Sequence, residues 1–410
     1  MSGLPITRRT MALATSAAIA TALASAPGKA LAEGAPIKIG LTTDLTGIAA
    51  TYAAAQVNAV KLAIEEINAA GGIKGRKLEL LVRDSQLKPA LGASLTRDLI
   101  VREKIDYLIG PDASSVGVAV SGVAKQYKKV VVMTIPNTPR LVGELFHKYF
   151  FTIVPSGTML ARAMAEGIGK TNNSIAFIGG DYEASHQAIQ YFGEWLTKVN
   201  PKAKITAQQW PKLGEPDFTP YITQLISAKP DIVFSYLWGA DLIAFIKQAK
   251  PYGLFDKTKF ATLLFLDDLK ALGDDMPDGI IGQMYAPPFG TNSPAMAEFI
   301  KKYQAKFNSF PSDWAVMGYD GMRILADGIR NAASMESDAV AEAIEKLKFD
   351  GLQGPLTFRA VDHQGNVPSF LGTTGKVAGL PFKGLVDIQR IPAESVWPTP
   401  EEILAQRKDK

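Results

Sequence analysis

The sequence of 410 residues contains no cysteine and only three histidines. The lack of cysteine excludes disulfide bonds, thiol nucleophiles, cysteine-ligated zinc and iron–sulfur clusters. The histidines His147, His186 and His363 are far apart in the chain, and the sequence has no H-E-x-x-H, G-x-S-x-G, Walker A or G-x-G-x-x-G pattern. We therefore expect a protein that is not an enzyme and has no catalytic residues, no metal site and no cofactor.

The first 32 residues have the pattern of a bacterial export signal. Arg8 and Arg9 precede a mild apolar run over Met11–Ala26, and Ala30-Leu31-Ala32 matches the A-x-A cleavage pattern. A membrane anchor is the alternative, but the 16 residues of the run form a helix of only about 24 Å against a hydrocarbon core of roughly 30 Å. The arginine pair favours twin-arginine export. We predict cleavage after Ala32 and a periplasmic mature chain.

The mature chain has little net charge and no long apolar run. The leader contains three basic residues and no acidic ones, so its removal lowers the net charge from +4 to +1 and leaves 378 residues. A near-neutral chain lacks the concentrated basic surface that a nucleic-acid partner requires. No later stretch approaches 18 uninterrupted apolar residues, so no membrane span is expected. A mature chain of this length is too long for one ordinary hydrophobic core and is long enough to form two lobes.

Short β-branched runs alternate with amphipathic stretches from residue 37 onward, which is typical of parallel α/β layers. A first block precedes Phe151–Pro155 and a second block follows it. The predicted strands are Ile37–Thr42, Leu78–Val82, Tyr107–Gly110 and Val130–Ile135, then Ile175–Ile178, Ile205–Gln208, Ile232–Tyr236 and Thr262–Leu266. Later helices and short strands form no third block, so we expect them to complete two doubly wound, Rossmann-like lobes. Residues 398–410 form a charged tail that we expect to be loosely held.

Four stretches resemble one known family. Ile37–Gly75 (IKIGLTTDLTGIAATYAAAQVNAVKLAIEEINAAGGIKG) resembles the amino-terminal signature of type I periplasmic solute-binding proteins, in the branch for leucine, isoleucine, valine and amides. Three other stretches match the sequence pattern of the same family: Leu108–Ser115, Asp217–Leu225 and Pro230–Gly239. The resemblance implies an ABC importer's capture protein, with a small-molecule solute and a membrane permease as partners.

The resemblance also implies two α/β lobes that are joined by three crossovers and close on the solute. We assign residues 36–155 and about 286–358 to the N-terminal lobe, and residues 156–285 and about 359–397 to the C-terminal lobe. We expect a monomer.

Ligands of open α/β sheets bind beyond the carboxyl ends of the strands. In the first lobe this rule selects the loop with Ser114 and Ser115, whose hydroxyls and amides can hold an anion or simply cap the next helix. It also selects Asn137 and Thr138, which are equally common in turns. The family resemblance implies that the serines hold a carboxylate. From the opening loop, Tyr52 is a further candidate.

In the second lobe the rule selects Tyr182 and Trp238, each in a loop that contains glycine. For Trp238, filling of the core is a serious alternative. The resemblance implies an aromatic residue facing the solute near Tyr182, and an acid after the strand Thr262–Leu266 that would neutralise an ammonium group. Asp267 is our candidate, with Asp268 as the alternative. No glycine adjoins them, a departure from the family pattern that weakens the case for an amino-acid ligand.

We expect a branched-chain or other apolar amino acid as the solute, and other ligand classes remain open as alternatives. A branched-chain or other apolar amino acid needs the acid for its ammonium group. An aromatic carboxylate needs no such partner and would use Tyr182 and Trp238 as stacking walls, and a short amide or urea is a further alternative. A ligand sensor for a membrane receptor is the competing function.

Overall fold

The structure is a computed structural model and describes residues 34–47, 49–290 and 293–408. The first β-sheet contains five parallel strands in the order β2-β1-β3-β4-β5. Its members are β1 (Ile37–Thr43), β2 (Leu78–Asp84), β3 (Tyr107–Ile109), β4 (Val131–Met133) and β5 (Phe150–Thr152). The central strands are buried on both faces, as their continuous apolar runs require.

The second sheet has seven strands in the order β14-β13-β10-β9-β8-β6-β7. The strands β6 to β10 are parallel, whereas β13 and β14 are antiparallel additions at one edge. The members are β6 (Ser174–Ile178), β7 (Lys204–Gln209), β8 (Ile232–Ser235), β9 (Lys259–Leu263), β10 (Ile281–Met284), β13 (Ser369–Lys376) and β14 (Lys383–Ile391). A short antiparallel pair, β11 (Phe349–Gly351) and β12 (Gly354–Leu356), lies apart.

Helices flank both sheets and bury their apolar faces in the cores. In chain order they are α1 (Ala50–Ala69), α2 (Pro89–Val101), α3 (Ser114–Gln126), α4 (Pro139–Val142), α5 (Gly157–Ile168), α6 (Glu183–Val199), α7 (Thr219–Ala228), α8 (Gly239–Ala249), α9 (Leu254–Lys257), α10 (Leu266–Leu272), α11 (Pro294–Phe307), α12 (Asp313–Asn331), α13 (Ser337–Glu345) and α14 (Pro400–Lys408). No helix within the described residues is long and apolar enough to cross a membrane.

The chain passes between the two sheets three times: after β5, after β10 and before β13. The second passage brings α12 back to pack along α1, where Gly318 lies against the backbone of Gln56. The late elements thus return to complete the first layer, as the sequence predicts. The predicted α/β class with two Rossmann-like sheets is confirmed. The predicted leader, residues 1–32, lies outside the described residues.

The carboxyl-terminal tail is docked, contrary to our expectation of a loosely held segment. Ile403 on α14 is fully buried. The Arg407 guanidinium donates hydrogen bonds to the carbonyl oxygens of Val142 at 3.1 Å and Gly143 at 3.2 Å. Charge alone suggested a solvated tail, but one buried side chain and a well-bonded arginine hold it in place.

Several elements differ from the predicted strands: β5 and β11 were not predicted, and the two differences nearest the site are at β10 and β9. The strand β10 was not expected, because Ile281–Met284 contains glycine and glutamine and lacks a β-branched run. The strand β9 ends at Leu263, and Leu266 already begins α10. The predicted strand Thr262–Leu266 therefore extends too far, with consequences for the site.

Candidate functional site

A cavity of about 580 Å³ lies where the carboxyl ends of the two parallel sheets face each other. Both lobes contribute walls, from the loops that follow β3, β4, β6, β8 and β9. The size is in the range of sites for small organic ligands, roughly 300–1,000 Å³. The aromatic residues that line the cavity are Tyr52, Tyr182, Tyr191, Tyr236, Trp238, Phe265, Tyr285 and Trp314.

Several helices begin at residues of the cavity wall, three of them long helices that follow loops selected from the sequence. The helix α3 begins at Ser114, α6 begins directly after Tyr182, and α8 begins directly after Trp238. The first-turn amides of a helix have no partner within the helix, and the helix dipole adds partial positive charge there. Together these helix ends favour a negatively charged group in the cavity.

The loops after β3 and β4 form the most polar part of the wall. The Ser114 hydroxyl donates to Oδ1 of Asn137 at 3.2 Å, and the Asn137 amide Nδ2 donates to the Tyr285 hydroxyl at 2.6 Å. These bonds hold Ser114 and Asn137 in place. The Thr138 hydroxyl oxygen accepts only a long bond of 3.4 Å from the Arg140 amide, and Ser115 is exposed. Thr138 and Ser115 therefore keep O–H donors for an anion.

Four aromatic side chains from distant parts of the sequence form one cluster on the cavity wall. Ring centroids of Trp314 lie 5.2 Å from Tyr52, 4.7 Å from Phe265 and 5.4 Å from Tyr285. Such separations are typical of tilted and edge-to-face pairs. Burial raises the pKa of both tyrosines, so their hydroxyls stay protonated. The cluster offers a flat apolar solute a rigid surface.

The second lobe adds a hydrogen-bonded aromatic pair. The Trp238 indole Nε1 donates to the Tyr182 hydroxyl at 3.0 Å. Both side chains are half-buried and line the cavity. The bond satisfies the indole N–H and fixes the two rings relative to each other. Core filling, the alternative role for Trp238, does not account for this placement.

Of the described residues that line the cavity, Asp112, Arg140 and Glu183 carry charge. The Asp112 oxygen Oδ2 accepts the Asp44 amide at 3.0 Å, and Oδ1 is buried without a hydrogen-bond partner. Burial raises the pKa of Asp112 to about 6. Its carboxyl group is thus buried in the wall of the cavity, with one oxygen that has no hydrogen-bond partner among the described residues. Arg140 is exposed and paired with Glu144 at 2.5 Å, and Glu183 is exposed at the start of α6.

The loop after β9 presents an aromatic ring to the cavity. Phe265 lines the wall, whereas Asp267 and Asp268 lie in the first turn of α10 and are not among the described lining residues. The Asp268 oxygen Oδ2 accepts the Phe265 amide at 3.0 Å, and Asp267 lies 3.7 Å from the Lys270 ammonium nitrogen. Asp268 therefore has a hydrogen-bond partner within this segment, whereas Asp267 has only the ion pair with Lys270, and its Oδ2 is buried without a hydrogen-bond partner among the described residues.

Seven of the eight predicted site residues line the same cavity: Tyr52, Ser114, Ser115, Asn137, Thr138, Tyr182 and Trp238. Asp267 does not. Sequence reasoning missed Phe265, Tyr285 and Trp314. Tyr285 and Phe265 each follow a strand end, so the strand-end rule could have found them once the strand boundaries were right. Trp314 had no such signal.

The described residues contain no group of three or more histidine or acidic side chains that could hold a metal ion. The lining includes aromatic rings, hydroxyls and helix amides beside a few charged and aliphatic side chains. These groups can bind a small organic solute by hydrogen bonding and stacking.

Residues 36–376 match the family model described as periplasmic binding protein. The chain belongs to this family. A relative of this binding protein is "Leu/Ile/Val-binding protein homolog 4" of Brucella melitensis, which is 26% identical over 393 residues and aligns with 90% of this chain and 91% of its own length.

Two solved structures share the fold of this binding protein. One is a solute binding protein of an ABC transporter from Rhodopseudomonas palustris in complex with 3,4-dihydroxy benzoic acid, with a TM-score of 0.78, 22% identity and coverage of 87% of this chain and 98% of that chain. The other is a branched-chain amino acid transporter substrate binding protein from Streptococcus pneumoniae in complex with isoleucine, with a TM-score of 0.75, 20% identity and coverage of 87% and 99%.

Proposed function

We propose that this binding protein is the periplasmic capture component of an ABC importer and that its solute is a small aromatic carboxylate. The observation that carries the proposal is the composition of the cavity wall, which combines helix N-termini, hydroxyl groups and a cluster of aromatic rings. It binds its solute and releases it unchanged to a membrane permease.

The carboxylate would bind at the start of α3 and at the loop after β4. Thr138 and Ser115 offer hydroxyl donors, and the first-turn amides of α3 offer two or three N–H donors. Ser114 and Asn137 would act as positioning residues, because their side chains are already bonded to each other and to Tyr285. A hydrogen bond to a charged group contributes about 1.5–3 kcal/mol.

The apolar body of the solute would stack against Tyr52, Phe265 and Trp314 from one side and Tyr182 and Trp238 from the other. Burial of about 100 Å² of apolar surface contributes roughly 2.5 kcal/mol. Ring stacking adds about 0.5–1.5 kcal/mol per well-placed pair. Since Asp267 and Asp268 do not line the cavity, the loop after β9 supplies a ring where an amino acid would need an acid.

A branched-chain amino acid is the second candidate. The Brucella relative is named for leucine, isoleucine and valine, and the Streptococcus structure holds isoleucine. Glu183 at the edge of the cavity is the acid that could pair with an ammonium group. The Rhodopseudomonas structure, which holds a hydroxylated benzoic acid, supports the first candidate on the same fold.

Capture would proceed by closure of the two lobes, residues 36–155 with about 286–358 and residues 156–285 with about 359–397. A ligand that contacts both lobes favours the closed state because only that state makes every contact. We further propose twin-arginine export, cleavage after Ala32 and a monomeric mature protein. Mass spectrometry of the periplasmic protein would test the cleavage site.

Titration calorimetry of the mature protein with benzoate, benzamide and isoleucine tests the ligand class. We expect benzoate to bind and benzamide, which lacks the charge, to bind at least tenfold more weakly. Thr138→Val should weaken benzoate binding about tenfold, a loss of roughly 1.4 kcal/mol, whereas Thr138→Ser should restore it. Thr223→Val, at an exposed threonine of α7, is the control and should leave the affinity unchanged.

The alternatives give distinct results. Binding of isoleucine without benzoate, lost in Glu183→Gln, would establish the amino-acid candidate instead. Equal affinity for benzoate and benzamide would refute the anion site.

A further inference from the structure

The cavity is larger than a ring and a carboxylate require. An apolar cavity of about 150 Å³ accommodates benzene, and the cavity of this protein has about 580 Å³. One part of the lining is accounted for by the aromatic walls and by the proposed carboxylate seat, which is the start of α3 with Thr138 in the loop after β4. Another part is a polar strip on α6 that neither the carboxylate nor the ring would use.

The strip consists of Glu183, Gln187 and Tyr191, spaced four residues apart on one face of α6. All three line the cavity. The Gln187 amide Nε2 donates to Oε1 of Glu183 at 3.0 Å, which fixes the direction of the glutamine side chain. Among the described residues, no donor contacts the Gln187 side-chain oxygen. The neighbouring lining residues Ala184 and Ala188 have small side chains. The Gln187 oxygen therefore has unused hydrogen-bonding capacity.

The strip is continuous with the proposed carboxylate seat. The Gly157 amide at the start of α5 donates to the carbonyl oxygen of Asn137 at 2.8 Å, which joins α5 to the loop after β4. The helix α5 packs along α6, and Gly157 lines the cavity between them. A solute held by Thr138 could therefore extend past Gly157 to the strip.

We propose that this strip is a second polar subsite, which recognises an uncharged hydroxyl or amide substituent on the solute. The inference rests on the proposed function and makes it more specific. An amide side chain and a phenol both donate and accept hydrogen bonds, which matches a hydroxyl or an amide. A second carboxylate is disfavoured because Glu183 would repel it. The solute class is thus an aromatic carboxylate with a neutral polar group at its far end.

Titration calorimetry with benzoate, 4-hydroxybenzoate, 4-carbamoylbenzoate and terephthalate tests the subsite. We expect at least one of the two neutral substituents to improve the affinity tenfold or more over benzoate, and terephthalate to bind no better than benzoate. Gln187→Leu should abolish the improvement and leave the benzoate affinity within about threefold. The quantity compared is the ratio of the affinities of one protein for two ligands. A general loss of active protein does not change this ratio, so it cannot imitate the result.

The control uses a matched pair on the same helix. Gln190 and Glu194 are exposed and have the same spacing, with a hydrogen bond of 2.9 Å from the Gln190 amide to the Glu194 carboxylate. Neither lines the cavity. Gln190→Leu removes an equivalent side chain outside the site and should leave every affinity ratio unchanged.

The outcomes separate the two proposals. Benzoate binding without any gain from a neutral substituent would overturn the second subsite and leave the proposed function intact. A gain that survives Gln187→Leu would also overturn the subsite. If no aromatic acid binds but isoleucine does, and Glu183→Gln removes that binding, the strip is an ammonium site and both proposals fail in their present form.

Discussion

Asp268 should make the protein lose stability as the pH rises from about 4 to about 7, and replacing it with asparagine should remove that loss. The side chain is 2% exposed and lies under the cavity wall at the start of α10. Burial raises the pKa of Asp268 from 3.8 to about 7, and the neighbouring Asp267 and Asp313 carboxyls act in the same direction. The amide of Phe265, which donates to Asp268, opposes the shift only in part.

The sign follows from the raised pKa of the folded state. Below pH 4 the carboxyl is protonated in both the folded and the unfolded chain, so its stabilising contribution is fully present. As the pH rises from 4 to 7, the unfolded chain ionises while the folded chain still holds its proton, and stability is lost through this window. A pKa unit corresponds to about 1.4 kcal/mol, so the loss between pH 5 and pH 8 is about 2.5 kcal/mol.

The Asp268→Asn variant isolates this effect. The asparagine Oδ1 can still accept the amide of Phe265 and keep the first turn of α10 capped. Urea unfolding at pH 5 and pH 8 should therefore show that the variant gains about 2.5 kcal/mol relative to the wild type between the two pH values. Tryptophan fluorescence and circular dichroism should report the same transition, since a two-state treatment requires that agreement.

Asp274→Asn serves as the control, because Asp274 is an exposed acid just beyond the same helix. Its difference from the wild type should be the same at both pH values. A pH-independent difference for Asp268→Asn, or a variant that is relatively weaker at pH 8, would refute the assignment of a protonated carboxyl at this position.

Two further predictions concern contacts that hold the helices in place. Arg162, with a side chain 7% exposed, donates to both carboxylate oxygens of Glu402 at 3.0 and 3.1 Å. Arg162→Met should therefore lower the free energy of unfolding in urea by about 2 kcal/mol. A double-mutant cycle with Glu402→Gln that gives no coupling energy would contradict this. A Cβ at Gly318 would lie 2.9 Å from the Gln56 carbonyl oxygen, so Gly318→Ala should cost about 1–3 kcal/mol. The control Gly122→Ala, with nothing within 4 Å, should instead stabilise α3 by about 0.5–1 kcal/mol, and equal effects of the two changes would contradict the packing argument.

The sequence patterns predicted most strands because buried parallel strands need continuous β-branched runs, as in Val131–Met133 and Ile232–Ser235. They could not predict β10. Its Gly282 and Gln283 have little strand preference, and pairing with both β9 and β13 gives the segment its conformation. Strand preference is largely a matter of what packs on either side, and that information is not local.

The boundary between β9 and α10 shows the same limit at the site itself. Leu263–Leu266 is apolar throughout, so no polar residue marks where the strand ends and the helix begins. Placing the end at Leu266 instead of Leu263 moved the predicted loop by three residues and put Asp267 in the place that Phe265 occupies. Because of that shift, the residue that lines the cavity after β9 is the aromatic Phe265 and not the expected acid. An aromatic residue at this place favours a different class of ligand.

The polar half of the cavity is a local feature, and the aromatic half is not. Ser114 and Thr138 each follow a strand and begin a helix, a position that a sequence pattern can identify. Trp314 lies on α12, which packs on α1 after the chain has returned from the second sheet. Tyr285 lies directly after β10, where that return begins. Their contact with Phe265 exists only once the chain has crossed between the sheets. A carboxylate site could therefore be expected from the sequence, whereas the proposal of an aromatic rather than an aliphatic solute rests on the packing of the late elements.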